Sequence, residues 1–245
     1  MQTKLSPRLL AFANKVAKIK YLKSLLKPFY YPYKERIQRN RRSQFHKYGL
    51  SILEDFDRIM TSNGFSYFVF AGTLLGAVRE KGFIKHDLDI DVAMFNDDYS
   101  PELEQILVSN GFSITRRFEI ENGKYGREET YEKNNVSLDI FYIYSDEKYP
   151  TYQCDFSGVQ GTSSPDESME KYGYVRARRI EFPISRKVTR VPFETIMVNI
   201  PQNYDEWLRC RYGDDYMIPN PNFHDTGKNP HMFQWEGVKA SFLRF

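Results

Sequence analysis

From residue 8 to 27 the chain reads RLLAFANKVAKIKYLKSLLK, and Leu9, Phe12, Ala13, Val16, Ile19, Leu22, Leu25 and Leu26 recur at roughly helical spacing with lysines between them. Pro28 discourages continuation, so a basic amphipathic helix is predicted to stop there. An aromatic and basic stretch, 29–42, reads as a linker. A second helix is predicted over 44–62, with Leu50, Leu53, Phe56, Ile59 and Met60 on one side and Asn63-Gly64 ending it. The period then changes. Tyr67–Phe70 reads as a strand, Thr73–Lys81 as a short helix stopped near Gly82, and Ile90–Phe95 as the next strand.

Further along, Pro101–Ser109 reads as a helix with acids in its first turn. Ser113–Ile120 and Val136–Tyr144 read as strands. The polar ENGKYGREETYEKNN between them is expected to be a hairpin turn or mobile loop. Residues 145–175 show little periodicity and are expected to form a long surface loop or a substrate-facing excursion. Arg178–Phe193 alternates and holds two prolines, as edge strands or a hairpin would; Tyr204–Tyr212 reads as a helix ending before Gly213, and the tail from Pro219 to Pro230 as irregular. No repeat or heptad pattern is evident.

Composition adds a compartment and a polarity. With 41% hydrophobic and 27% charged residues over 245 positions, the chain can build a sizeable core. Two cysteines, Cys154 and Cys210, make neither a disulfide framework nor a metal cluster, which fits a reducing cytosol. No apolar run is long enough to span a bilayer, and no signal peptide is seen. The net charge of +3 is unevenly spread: residues 1–42 hold twelve Lys/Arg against Glu35 alone and carry +11, leaving −8 on the rest. That body argues against nucleic acid as a partner. The basic leader suits an anionic membrane surface through residues 8–27, at the inner face of the cytoplasmic membrane; an ordinary covering helix with solvated lysines has the same pattern. The division expected is a leader and linker, 1–42, and a catalytic body, 43–245.

The chemistry concentrates in FAGTLLGAVREKGFIKHDLDIDVAM, Phe70–Met94. Asp89 and Asp91, two apart on a strand, point to the same side. The pair suits a divalent metal holding a phosphate chain, or else solvated acids near a turn. Gly72 permits close approach of a ligand, and the helix that follows offers N–H groups to phosphate. Thr73 can add a hydroxyl or cap that helix. Arg79 and Lys81 can neutralise phosphate, His86 can donate to it, and Asp87 can support the metal from behind. Asp139, in Leu138-Asp139-Ile140-Phe141, enters the core, where a carboxylate needs a partner: a metal, an arginine, or a role as proton acceptor. Arg211 closes the site or anchors its helix.

The Phe70–Met94 block, together with VSLDIFYI (136–143), VPFETIMVNIP (191–201) and YDEWLRCRYGDDYMIP (204–219), resembles the LicD-type phosphotransferases, relatives of fukutin and fukutin-related protein. The likeness covers about residues 45–220. It implies a nucleotidyltransferase-like α/β fold, a mixed sheet flanked by helices. It also implies transfer of a phosphorylated alcohol from its CDP derivative to a glycan or lipid-linked glycan hydroxyl, with CMP leaving. Phosphocholine leads as donor group, beside glycerol phosphate and ribitol phosphate. In the family pattern Gly72 and Thr73 match the turn beside the nucleotide, Asp89 and Asp91 the metal pair for Mg2+ or Mn2+, and Asp139 a third carboxylate. The commoner family block Pro-Trp-Asp-Asp-Asp-Ile-Asp is here Lys85-His86-Asp87-Leu88-Asp89-Ile90-Asp91. Transfer of a nucleoside monophosphate, or a non-catalytic glycan- or membrane-binding role, are the competing readings.

Overall fold

The computed structural model describes residues 20–145, 151–220 and 230–245, with side chains from residue 35 onward. Met1–Ser43 and Gln44–Phe245 form two compact units, and the second holds every strand. The first helix, α1 (Lys20–Ser62), runs unbroken where a stop at Pro28 and a linker over 29–42 were expected. A proline removes one backbone donor and crowds one carbonyl. The helix nonetheless continues through both Pro28 and Pro32, with Phe29, Tyr30 and Tyr31 between them. Residues 8–19 of the amphipathic stretch lie outside the described residues. No described helix is long and apolar enough to cross a membrane.

After α1 the order is β1 (Phe68–Val69), α2 (Ala71–Arg79), β2 (Asp89–Phe95), α3 (Glu102–Ser109), β3 (Ser113–Ile120), β4 (Gly126–Lys133) and β5 (Val136–Ile143). Then follow β6 (Tyr152–Ser157), α4 (Pro165–Tyr172), β7 (Val175–Glu181), β8 (Val188–Phe193), β9 (Ile196–Pro201), α5 (Tyr204–Tyr212) and β10 (Met232–Arg244). Eight strands form one mixed sheet in the order β1-β2-β5-β4-β3-β10-β7-β6, while β8 and β9 pair separately. Only β2 and β5 run parallel among the described pairs. A bridge between Tyr144, just past β5, and Tyr152 of β6 joins strands far apart in that order, so the sheet curls.

The segment expected to be a polar loop contains β4, a central strand whose first six residues are buried. Its charges are buried with partners. Glu129 accepts from Tyr131 Oη (3.1 Å), Tyr142 Oη (2.9 Å) and Arg117 Nε (2.7 Å). The Arg127 guanidinium lies 3.7 Å from the Tyr99 ring centroid and pairs with Glu119. Such a strand escapes hydropathy because compensation between strands, not apolarity, makes its burial affordable. Likewise 145–175 holds β6 and α4, not a bare loop; of the stretch 178–193, the β7 part is internal, not an edge, while β8 forms a hairpin with β9 as one of its two readings had it; and β10 was not foreseen.

Alternation divides the sheet into two faces. Ile90, Val92, Leu138, Ile140 and Tyr131 enter a core shared with Ile52, Leu53 and Phe56 of α1 and with Leu103 and Leu107 of α3. The other face carries the polar chemistry.

Candidate active site

Strand register builds the site. Asp91 lies opposite Asp139 across the parallel β2–β5 pair, Asp139 opposite Thr130 of β4, and Thr130 opposite Arg116 of β3. Four strands thus place one row of polar side chains on one face. Thr130 Oγ1 donates to Asp139 Oδ1, Arg116 Nε donates to Thr130 Oγ1 at 2.5 Å, and Arg116 Nη2 lies 3.4 Å from both Asp139 oxygens. Of the options open to Asp139 in the sequence, the arginine is the partner seen. Arg116, Thr130 and Glu128, which sequence reasoning passed over, had one signal: alternate polar residues in TRRF and REETYE.

The Gly-Thr turn works differently from its expectation. Phe70, not Thr73, occupies the N-cap of α2, and Ala71 takes φ 40° to turn the chain directly from β1 into the helix. Gly72 N–H donates to Asp91 Oδ2 at 3.0 Å, so this amide holds the carboxylate rather than standing open to phosphate. A Cβ at Gly72 would lie 3.3 Å from Asp91 Oδ2 and 3.4 Å from Asp87 Oδ1; the missing side chain admits both carboxyls. Thr73 is fully buried and accepts from Asp91 N at 2.9 Å, which fixes β2 against α2. Gly76 lets the helix pack closely, as a Cβ there would stand 2.4 Å from Gly82 O.

The aspartates form a strongly negative centre. Burial pushes the Asp91 carboxyl well above its usual range, and the charges of Asp89, Asp139 and Asp87 push it further. Burial likewise lifts Asp87 to about 6, with Asp89 adding and Arg79 opposing. Asp87 Oδ2 also accepts from Ile84 N at 3.2 Å. Hard oxygen donors with surplus negative charge fit a divalent cation such as Mg2+ or Mn2+. No described group of three or more His, Cys, Asp or Glu surrounds a single point. The fit is therefore to one or two carboxylates completed by ligand oxygens and water, the way Mg2+ is usually held.

The remaining expected residues divide. Arg79 Nη1 donates to Tyr216 O at 3.2 Å and its Nε to Glu80 at 2.9 Å, which ties α2 to the segment after α5. Lys81 and His86 are exposed. Arg211 does reach the site: it lines a cavity of about 290 Å3 on the same sheet face, with Arg116, Glu128, Gln153 and Trp207. Its neighbour Tyr212 is half-buried and within reach of the charges of Asp91 and Asp87. Burial pushes Glu128 up to about 8; Asp139 and Asp155 add to this and Arg116 opposes it.

Fold and site define a class, a mixed α/β domain with a row of aspartates on one sheet face beside a cavity. The family model described as LicD/FKTN/FKRP, nucleotidyltransferase domain, matches residues 64–203, over half the chain, and the protein belongs to that family. Similar proteins include the lipopolysaccharide cholinephosphotransferase LicD of Haemophilus influenzae, 30% identical over 66% of this chain and 54% of that one. The ribitol-5-phosphate transferase FKTN of Mus musculus is 25% identical over 79% of this chain and 38% of its own length. The ribitol 5-phosphate transferase FKRP of Mus musculus is 22% identical over 67% and 31%. The chain thus spans about half or less of these curated relatives.

Proposed function

We propose that the protein transfers a phosphorylated alcohol from a CDP-activated donor to a hydroxyl of a cell-surface glycan precursor, releasing CMP. The donor group is phosphocholine, ribitol phosphate or glycerol phosphate. The observation that carries the reading is the row Asp91–Asp139–Thr130–Arg116 beside a cavity, in a chain of this family.

Asp89 and Asp91 would hold Mg2+, with Asp87 beside them; a bound divalent ion neutralises diphosphate charge and stabilises the departing CMP. Thr73 and Gly72 keep the Asp91 backbone and carboxylate in place. Arg116 and Arg211 offer positive charge to phosphate oxygens, and a guanidinium can do so bidentately. Asp139 takes the proton of the attacking hydroxyl, while Thr130 and Arg116 fix its orientation. A compact body, 43–245, carries this chemistry. Arg36, Arg39, Arg41 and Arg42 are exposed on α1 and support contact of the leader with the anionic inner face of the cytoplasmic membrane.

The test incubates purified protein and Mg2+ with CDP-choline, CDP-ribitol or CDP-glycerol and the native glycan, and measures CMP. Release that disappears in Asp89→Ala/Asp91→Ala supports the reading; no release above that control ends it. A nucleoside retained on the product would establish nucleotidyl transfer instead. Equal sedimentation of the full chain and a form lacking residues 1–28 with anionic vesicles would remove the membrane role.

A further inference from the structure

Buried polar atoms without a hydrogen-bond partner among the described residues include Oε1 of Gln153 and Nε1 of Trp207, and these two residues line the 290 Å3 cavity. Gln153 is 7% and Trp207 2% exposed. Native folds rarely leave such atoms unpaired, because each loses its water and gains nothing in return. One is an acceptor and the other a donor. Hydroxyl groups meet both needs, donating to Gln153 and accepting from Trp207.

The rest of the lining narrows the ligand. Phe156, stacked at 5.1 Å on the buried Phe118, contributes an apolar surface for the C–H face of a carbon chain or ring. Arg116 and Arg211 place two guanidiniums in the wall. The wall's acids are each already faced by an arginine: Asp155 is ion-paired with Arg178, and Glu128 lies 4.0 Å from Arg116. A quaternary ammonium gains from aromatic rings. Here it would find the wall's acids already faced by guanidiniums, and it has no hydroxyl for Gln153 or Trp207. At about 290 Å3 the space is just under the roughly 300–1,000 Å3 of pockets for whole drug-sized ligands. It suits one sugar ring or short polyol, not an entire CDP-alcohol.

We propose that this cavity binds a polyhydroxylated group, a polyol or a sugar, next to the phosphate being transferred, and that it selects against a quaternary ammonium. The proposal rests on the transfer reading above and names the chemistry its site accepts. Two sources supply that chemistry: the polyol of the donor and the sugar of the acceptor.

The experiment uses the full chain with Trp235→Phe, which leaves Trp207 as the sole tryptophan of the two. Its fluorescence is titrated with CDP, CDP-ribitol, CDP-glycerol and CDP-choline, and separately with galactose and N-acetylglucosamine in the presence of CMP. Calorimetry on the unsubstituted protein runs in parallel. If the donor's polyol fills the cavity, CDP-ribitol or CDP-glycerol binds about tenfold tighter than CDP or CDP-choline, and Gln153→Leu erases the gain while CDP affinity stays. If the acceptor's sugar fills it, the CDP compounds bind alike, and a sugar shifts Trp207 emission in a way that Gln153→Leu abolishes. Without ligand, Gln153→Leu should melt no lower than the parent, since it removes an unpaired atom; a lower melting temperature would show a structural partner and overturn the proposal. Tighter binding of CDP-choline than of CDP, lost in Gln153→Leu, overturns it too. CDP binding with no probe sensitive to Gln153 overturns this inference and spares the transfer reading. Absence of CDP binding sinks the transfer reading, and the hydroxyl site is then decided by the sugar arm alone.

Discussion

Glu128→Gln tests the electrostatics of the cavity wall directly. Glu128 is 9% exposed, and burial, with the charges of Asp139 and Asp155, lifts its carboxyl from 4.5 to about 8 against the pull of Arg116. The folded state therefore holds a proton that the unfolded chain releases near pH 4.5. Between the two values the native state binds more protons, so stability is full below about pH 4.5, falls as pH rises, and levels off above about 8. The interval corresponds to at most ~5 kcal/mol at 1.36 kcal/mol per pH unit. Solvent in the cavity and adjustment of Arg116 reduce this to roughly 2–3 kcal/mol. Glutamine keeps the shape and does not titrate. Thermal melts in chelator from pH 5 to 9 should show the variant about 5–10 °C above the parent at pH 8.5, given roughly 2–4 °C per kcal/mol for a chain of this size. The gap should close toward pH 4.5. A gap independent of pH, or a variant less stable at pH 8.5, would show that Glu128 is held as a carboxylate by Arg116 and that the account of the wall is wrong.

The same logic at the aspartate centre predicts that Asp91→Asn raises the melting temperature of the metal-free protein while abolishing CMP release; a lower melting temperature would mean the Asp91 charge is compensated. Thr73→Val leaves the Asp91 N–H without its acceptor and should cost about 1–3 kcal/mol in urea denaturation. An unchanged midpoint would show that β2 does not depend on that bond. Gly76→Ala gains about 1 kcal/mol of helix propensity but drives a Cβ to 2.4 Å from the Gly82 carbonyl, so a net loss of at least ~1–2 kcal/mol is expected in the same assay. A more stable variant would refute the close packing of α2.

Elements with one apolar face were legible before the structure. Asp89–Phe95, Ser113–Ile120, Val136–Ile143 and Tyr204–Tyr212 fall where the periodicity put them, within a residue or two. Elements whose burial depends on charge pairing were not. Gly126–Lys133 reads as a loop because Arg127, Glu128 and Glu129 look solvated until Glu119, Tyr99, Tyr142 and Arg117 arrive from other segments. The N-terminal helix departs from the expectation in the other direction, running through Pro28 and Pro32 despite the local rule against it.

The sequence by itself determined which carboxylates share a strand face. Asp89 and Asp91 share a face because strand side chains alternate, and the Gly-Thr turn must lie close by because only a short helix separates it from them. It could not determine what those groups meet. The parallel pairing of β2 with β5 sets Asp139 beside Asp91, and two antiparallel pairings carry the row on to Thr130 and Arg116. Those contacts join residues 48, 9 and 14 positions apart, a matter of register rather than local preference. Tertiary structure likewise made the amide of Gly72, expected only to admit a ligand closely, the clamp on Asp91, and it brought Gln153 and Trp207 to one cavity with neither buried polar atom paired.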